Sequence, residues 1–233
     1  MSRTVYTSDK KIRIVAAVGV FCALAYVACV LFHFRVSFLT FDLKDAVMTV
    51  GAMLFGPVYG LAMSVVVALI EMLTVSTTGL YGFIMNVLAS ASFVCVGSLI
   101  YMYRRTMAGA VAGMLASVAA MTGVMLLANL VVTPFYMGVS ASQVAGMIPT
   151  LLLPFNLIKA VFNACLVFLL YQPISQAVRR AGFDYAMTMG GGKEGKKSDR
   201  RTSVIVTVAA AVLAVLTLLV FFLVLGGTFS SVG

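Results

Sequence analysis

Apolar stretches, most of them long enough to cross a bilayer, follow one another along this 233-residue chain. That succession constrains the fold more than any single motif. They fall at 12–32, 46–60, 61–76, 80–103, 107–132, 148–171 and 203–225. A helix rises 1.5 Å per residue and needs about 20 apolar residues to cross the hydrocarbon layer. Inside lipid the backbone must satisfy its own hydrogen bonds, so stretches of this length are helices. Hydrophobic residues make up 62% of the chain and charged ones 10%, against about 45–50% and about 25% in soluble domains. The reading is an all-α integral membrane protein. No stretch has the size or composition of a nucleotide-binding domain, so uphill transport would need ATP hydrolysis by another chain.

Most of these stretches are separated by charged or polar breaks. The second and third are divided only by Gly56-Pro57-Val58-Tyr59-Gly60, a turn signal inside one long apolar run, which predicts a tight hairpin of two short helices. The segment from Gly182 through Gly190-Gly191-Gly192-Lys193 to Arg201 is glycine-rich and basic and reads as a flexible linker. The chain therefore divides into an N-terminal segment at 1–11, a six-span membrane domain at 12–180, a basic linker at 181–202, an extra transmembrane helix at 203–225 and a short tail at 226–233. The last helix, Val204 to Leu225, has no ionisable residue and reads as an anchor or lateral partner helix. Because six spans assemble the pocket argued below, removal of residues 190–233 is expected to leave it intact.

The net charge of +9 would suggest nucleic acid in a soluble protein, but in a membrane chain basic residues mark cytoplasmic loops. With the N-terminus in the cytoplasm, one side carries Arg3, Lys10, Lys11, Arg13, Arg104, Arg105, Arg179, Arg180, Lys193, Lys196, Lys197, Arg200 and Arg201. The other side carries Arg35 and Lys44, and Lys159 lies within a span. The bias puts the N-terminus inside and the C-terminus outside, in the cell membrane as a multi-pass protein. The four cysteines (Cys22, Cys29, Cys95 and Cys165) lie within apolar runs without metal-ligand or CxxC spacing and read as small core hydrophobes. The first stretch is too long for a signal-peptide h-region and lacks a small-residue cleavage site before Phe32.

Ionisable and amide side chains are costly in lipid and mark function or interhelical contact. Glu71 falls near the outer end of the third span and Asn86 about two turns below the outer end of the fourth. Asn129 falls in the last turn of the fifth before Pro134, and Asn156 and Lys159 lie roughly 10–15 Å into the sixth. Four helices thus carry their rare polar groups in the outer half of the membrane, which predicts a pocket entered from outside. Asn156, Lys159 and Asn163 share one helix face by their spacing, and Pro154 before them can open that helix. A buried Lys159 ammonium calls for a polar ligand or a fixed acceptor. Glu71 reads equally as a site residue or as a solvated surface carboxylate, and His33 as an interfacial residue. Phe83, Met85, Tyr136 and Phe155 supply candidate walls. No Walker loop, nucleophile elbow or metal cluster is present, and no general base is paired with a nucleophile, so the lining suits a flat heteroaromatic ligand rather than a reaction.

Several of these residues stand in motifs. Phe41-Asp42-Leu43-Lys44-Asp45 opens the second span, and Leu54-Phe55-Gly56-Pro57-Val58-Tyr59-Gly60 makes the hairpin. Gly82-Phe83-Ile84-Met85-Asn86, Asn129 with Pro134-Phe135-Tyr136, and Pro154-Phe155-Asn156-Leu157-Ile158-Lys159 follow. In this order they resemble the riboflavin-specific substrate-binding S components of energy-coupling-factor (ECF) vitamin transporters, over about residues 12–180. The resemblance implies a six-helix S-component bundle, here with one additional C-terminal transmembrane helix. It implies riboflavin bound from outside as substrate rather than as cofactor, and docking on a membrane coupling subunit driven by two cytoplasmic ATPases. Asn129, Asn156 and Lys159 match flavin-contacting positions, with Asn86, Glu71, Asp42, Asp45 and Phe155 as further candidates. Gly19-x-x-x-Ala23 and Ala25-x-x-x-Cys29 stand nearest to the family's small-residue docking pattern on the first helix. The chain departs from the family at Leu43-Lys44, where a Phe-Ser pair is usual, and at Glu71-Met72, where a Lys-Asn pair is common. An S component for another vitamin, and a non-transporting flavin-handling or scaffold subunit, are the alternative readings.

Overall fold

The computed structural model describes residues 2–182, 200–225 and 228–229. The chain runs through α1 (Ser2–Leu31), strands β1 (Phe34–Val36) and β2 (Leu39–Phe41), α2 (Lys44–Phe55), α3 (Pro57–Thr74), α4 (Gly79–Tyr103) and α5 (Met107–Met137). A short α6 (Ala141–Gly146) and a π-helical turn (Ile148–Leu152) lead into α7 (Leu153–Arg180), followed by α8 (Arg200–Leu225) and β3 (Thr228–Phe229). The molecule is an all-α integral membrane protein with a small sheet at one end.

Among the described residues, six helical segments are long and apolar enough to cross a membrane: α1, α3, α4, α5, α7 with its π-helical turn, and α8. The second apolar stretch is the exception. Its helix, α2, has 12 residues, about 18 Å at 1.5 Å per residue, and every one of them is buried. It is a core plug enclosed by its neighbours, not a span. Gly56 alone joins it to α3; with φ at 116°, a conformation that favours glycine, it lets Pro57 open the next helix at once.

Between α1 and α2 the chain forms an antiparallel hairpin that the apolar pattern did not announce. Phe34 pairs with Phe41 and Val36 with Leu39 around Ser37-Phe38. Ser37 takes a positive φ of 55°, so no glycine or asparagine marks the turn. β3 adds a third strand, giving the order β2-β1-β3.

In lipid, helices gain little from hydrophobic burial against one another and associate through close packing and polar contacts. α4 and α5 follow this rule. A Cβ on Gly113 would lie 2.9 Å from the Gly97 carbonyl oxygen, and one on Gly97 would lie 2.5 Å from Ser117 Oγ. Ser117 Oγ donates to the Phe93 carbonyl at 2.8 Å across the same crossing. On α1, by contrast, Gly19 and Ala23 lie on the open face while Ala25 and Cys29 are turned inward with no exposed surface. The Gly19-Ala23 step is thus available to a partner, and the Ala25 step is already spent on the core.

The C-terminal segment also departs from expectation. α8 begins at Arg200, inside the proposed linker, whose remaining residues 183–199 lie outside the described residues. Residues 228–229 of the expected free tail pair with β1. Phe221 of α8 is fully buried against rings of the membrane domain, so the helix that the sequence reads as an anchor or lateral partner packs directly on that domain.

The α4–α5 crossing makes a direct prediction. Gly113→Leu should lower the thermal unfolding midpoint and folded yield in detergent, because the Gly97 backbone cannot yield. Gly123→Ala, where a Cβ meets nothing within 4 Å, should match wild type.

Candidate ligand-binding site

The site begins with charge. Asp42, in the turn between β2 and α2, has no exposed surface, and its Oδ2 accepts from Lys44 Nζ at 3.0 Å and from Lys159 Nζ at 2.8 Å. Lys44 Nζ also donates to Glu71 Oε2 at 2.8 Å and reaches Asn86 Oδ1 at 3.4 Å. Lys159 Nζ also donates to the Thr40 carbonyl at 3.0 Å. Two ammonium groups and two carboxylates therefore share one buried knot that ties the hairpin to α2, α3 and α7. Cys29, Asp42 and Glu71 place ligand atoms within 4.8 Å of one another, but Lys44 Nζ bonds both carboxylates and fills the place a cation would take.

Amides complete the frame. Asn163 Oδ1 accepts from the Ala46 N–H at 3.0 Å, and Asn163 Nδ2 donates to the Asp42 carbonyl at 3.1 Å. The N-cap residue of α2, Leu43, makes no side-chain cap bond, so Asn163 of α7 serves one of the free N–H groups that every helix start leaves. Asp45 accepts from Ser90 Oγ at 2.6 Å, joining α2 to α4. Pro149 sits within the π-helical turn and Pro154 in the first turn of α7 just after it, where Asn156 Nδ2 donates to the Leu152 carbonyl at 2.8 Å. Asn129 Nδ2 donates to the Met125 carbonyl at 2.7 Å, and its Oδ1 accepts from Thr133 at 2.9 Å.

Above this knot lies a cavity of about 550 Å³, within the range of small-molecule sites. Glu71, Asn86, Asn129, Phe155, Asn156 and Lys159 all line it. The structure thus gathers into one place the polar residues that the sequence set at matching depths on separate helices. Met85, Met121, Met125, Tyr81 and Tyr136 form its apolar walls, with Tyr81 and Tyr136 paired at 6.2 Å between ring centroids. Ser76, Thr77, Thr78 and Thr133 add hydroxyls.

Other expectations change. Asp42 and Asp45 do not line the cavity; both are fully buried beneath it, where they can act on a ligand only through Lys159, Lys44 or α2. Phe83 is not among the lining residues. Lys44, counted on the outer side of the membrane, is 1% exposed because Asp42 and Glu71 neutralise it. The departures from the family noted at Lys44 and Glu71 meet in this ion pair. His33 is buried rather than interfacial, and with Arg35, Ser37 and Thr40 it lines the cavity. Burial holds the His33 imidazole below its usual pKa against the pull of Asp42, and its Nε2 accepts from Arg35 Nε at 3.4 Å. These hairpin residues escaped the sequence reading because nothing there marked a turn.

The family model for the substrate-specific component of ECF transporters matches residues 13–171. The chain belongs to this family. Among solved structures, it is similar to one described as the S component of a bacterial ECF transporter, at 26% identity and a TM-score of 0.63, covering 73% of this chain and 99% of that one. No protein of curated function matches it. This ECF S component is thus a substrate-binding transporter component and not an enzyme. Components of this kind work with an ECF module of membrane and ATPase subunits in uptake of a vitamin substrate.

The knot generates a charge-counting prediction. Asp42→Asn leaves an ammonium uncompensated and should cost about 3–5 kcal/mol, as breaking a buried ion pair does. Adding Lys159→Met restores the wild-type net charge while leaving the Lys44–Glu71 pair, so the double variant should unfold no earlier than Asp42→Asn alone. Thermal unfolding in detergent reads this; losses that simply add would show that the pair is not coupled.

Proposed function

We propose that this S component captures riboflavin or a closely related flavin in the cavity from outside the cell and delivers it inward by docking on a coupling subunit driven by two ATPases. The observation that carries the reading is the lining: amides and an ammonium below, aromatic and thioether walls at the sides, hydroxyls nearby. An isoalloxazine ring is flat, presents carbonyl and imine acceptors beside one N–H donor, and carries a polyhydroxyl chain. Asn129 and Asn156 can donate and accept at the ring edge, Lys159 can donate, and Phe155 and Tyr136 supply flat apolar contact. Ser76, Thr77 and Thr78 suit the hydroxyl chain, and Asn86 and Glu71 stand where the knot meets the cavity. Asp42 and Asp45 serve as positioning residues from below.

The orientation has its own support. The cavity is built from the end of α3, the start of α4, the end of α5 and the start of α7. Arg104, Arg105, Arg179 and Arg180 lie at the far ends of α4 and α7. Basic residues favour the cytoplasmic side, so the cavity opens outward, the N-terminus lies inside and the C-terminus outside.

Purified protein incubated with riboflavin should retain the flavin band near about 450 nm, a property of the flavin itself. Asn156→Leu and Asn129→Leu should each weaken binding by roughly 10- to 100-fold, the effect of losing about 1–3 kcal/mol from a buried hydrogen-bond partner. Titration by flavin fluorescence checks this; binding within twofold of wild type in both variants would place the flavin elsewhere. Reconstituted alone, the chain should bind but not accumulate flavin, and ATP-dependent uptake by the lone chain would contradict the role.

A further inference from the structure

α8 lies beyond residue 171, where the family match ends, yet it packs on the membrane domain through a defined face. Ala210 and Ala214, one turn apart, are both buried in the cluster that holds Phe162 and Cys165 of α7, a small-residue spacing that permits close helix approach. The opposite face of the helix is open, with Val204, Val208, Val212, Leu216 and Leu223 exposed. Phe221, seven residues past Ala214, continues the buried face. It has no exposed surface, and its ring centroid lies 4.5 Å from that of Phe41, 6.1 Å from Phe34 and 6.4 Å from Phe155.

Those contacts reach the ligand cavity by two routes. Phe155 lines the cavity, and so do Arg35 and Thr40 of the hairpin that carries Phe34 and Phe41. Phe41 precedes Asp42, the carboxylate at the centre of the ionic knot. Just past α8, β3 pairs with the free edge of β1, with Phe34 opposite Phe229 and Arg35 opposite Thr228. A two-stranded hairpin is marginal alone and gains stability from a third strand or from packing on a helix. This hairpin, with strands of three residues, receives both from the C-terminal segment.

We propose that α8 and β3 form a latch that holds the β1–β2 hairpin in place as a wall of the cavity, with Phe221 as its positioning residue, and that the latch slows ligand exchange. The hairpin is gripped from within by Lys159, through Thr40 and Asp42, and from without by Phe221 and β3. The hairpin supplies one wall of the cavity, and the outer grip sets how readily that wall moves as a ligand enters or leaves. The part concerning ligand exchange rests on reading the cavity as the flavin site; the part concerning the hairpin does not.

Amide hydrogen exchange of the purified full chain tests the latch without ligand, and stopped-flow flavin release tests its consequence. Phe221→Ala, and truncation after Leu225 to remove β3 while keeping α8, should each speed exchange of the 34–41 amides at least tenfold and leave α4 and α5 unchanged. Leu223→Ala, at a side chain 82% exposed, should match wild type. Riboflavin should leave both latch variants at least tenfold faster. If Phe221→Ala does not fold, the truncation carries the test. Unchanged hairpin exchange and unchanged release in the folded variants would overturn the latch even with flavin bound normally. Faster hairpin exchange in a protein that binds no flavin would uphold the latch and reject the proposed ligand.

Discussion

A carboxylate with no contact to solvent, Asp42, accepts hydrogen bonds from two ammonium groups inside the bundle, and most of the architecture serves that arrangement. An isolated charge is expensive in a membrane interior, and removing one member of a buried pair leaves the other uncompensated. Lys44 comes from α2, Lys159 from α7 and Glu71 from α3, while Asp42 lies in the turn below the hairpin. None of these side chains is stable at its depth without the others. The knot therefore fixes the relative placement of hairpin, core helix and spans, and Lys159, Glu71 and Asn86 present its upper edge to the cavity.

The two ends of the bundle are held differently. Toward the cavity, polar groups reach across helices: Asn163 to Ala46, Ser90 to Asp45, Lys159 to Thr40. Away from it, α4 and α5 meet at Gly97 and Gly113 with almost no side chain between them, and Tyr101 and Tyr171 share a 2.8 Å hydrogen bond between α4 and α7. Close approach with a few neutral hydrogen bonds holds one end, and paired charge holds the other. A ligand site belongs at the second, because groups that must stay polar can also turn toward a ligand.

Much of this was legible in the sequence. Glu71, Asn86, Asn129, Asn156 and Lys159 are rare polar residues in long apolar helices, and matching their depths was enough to put them around one cavity. The hairpin was not legible, since its strands are short and its turn, Ser37-Phe38, carries no turn signal. The burial of Lys44 was not legible for a related reason: it stands next to a charged, loop-like stretch, and only its distance to Glu71 reveals a partner. Two intramembrane charges of opposite sign, Glu71 and Lys159, were the available clue that Asp42 and Lys44 would be drawn inward to meet them. The small-residue steps on α1 looked equivalent, but helix rotation turns Ala25 to the core and Gly19 outward. Phe221 sits in a helix that is apolar all round, where periodicity has no contrast from which to pick a buried face.

The proposal that the cavity standing on the Asp42 knot is the flavin site of this S component is open to one decisive test. A high-resolution structure of the flavin-bound protein tests it most directly. The ring system should lie inside the cavity, its polar edge within hydrogen-bonding distance of Asn129 and Asn156, with Lys159 still bonded to Asp42. A flavin bound outside the cavity, or a cavity occupied only after Lys159 has separated from Asp42, would contradict it.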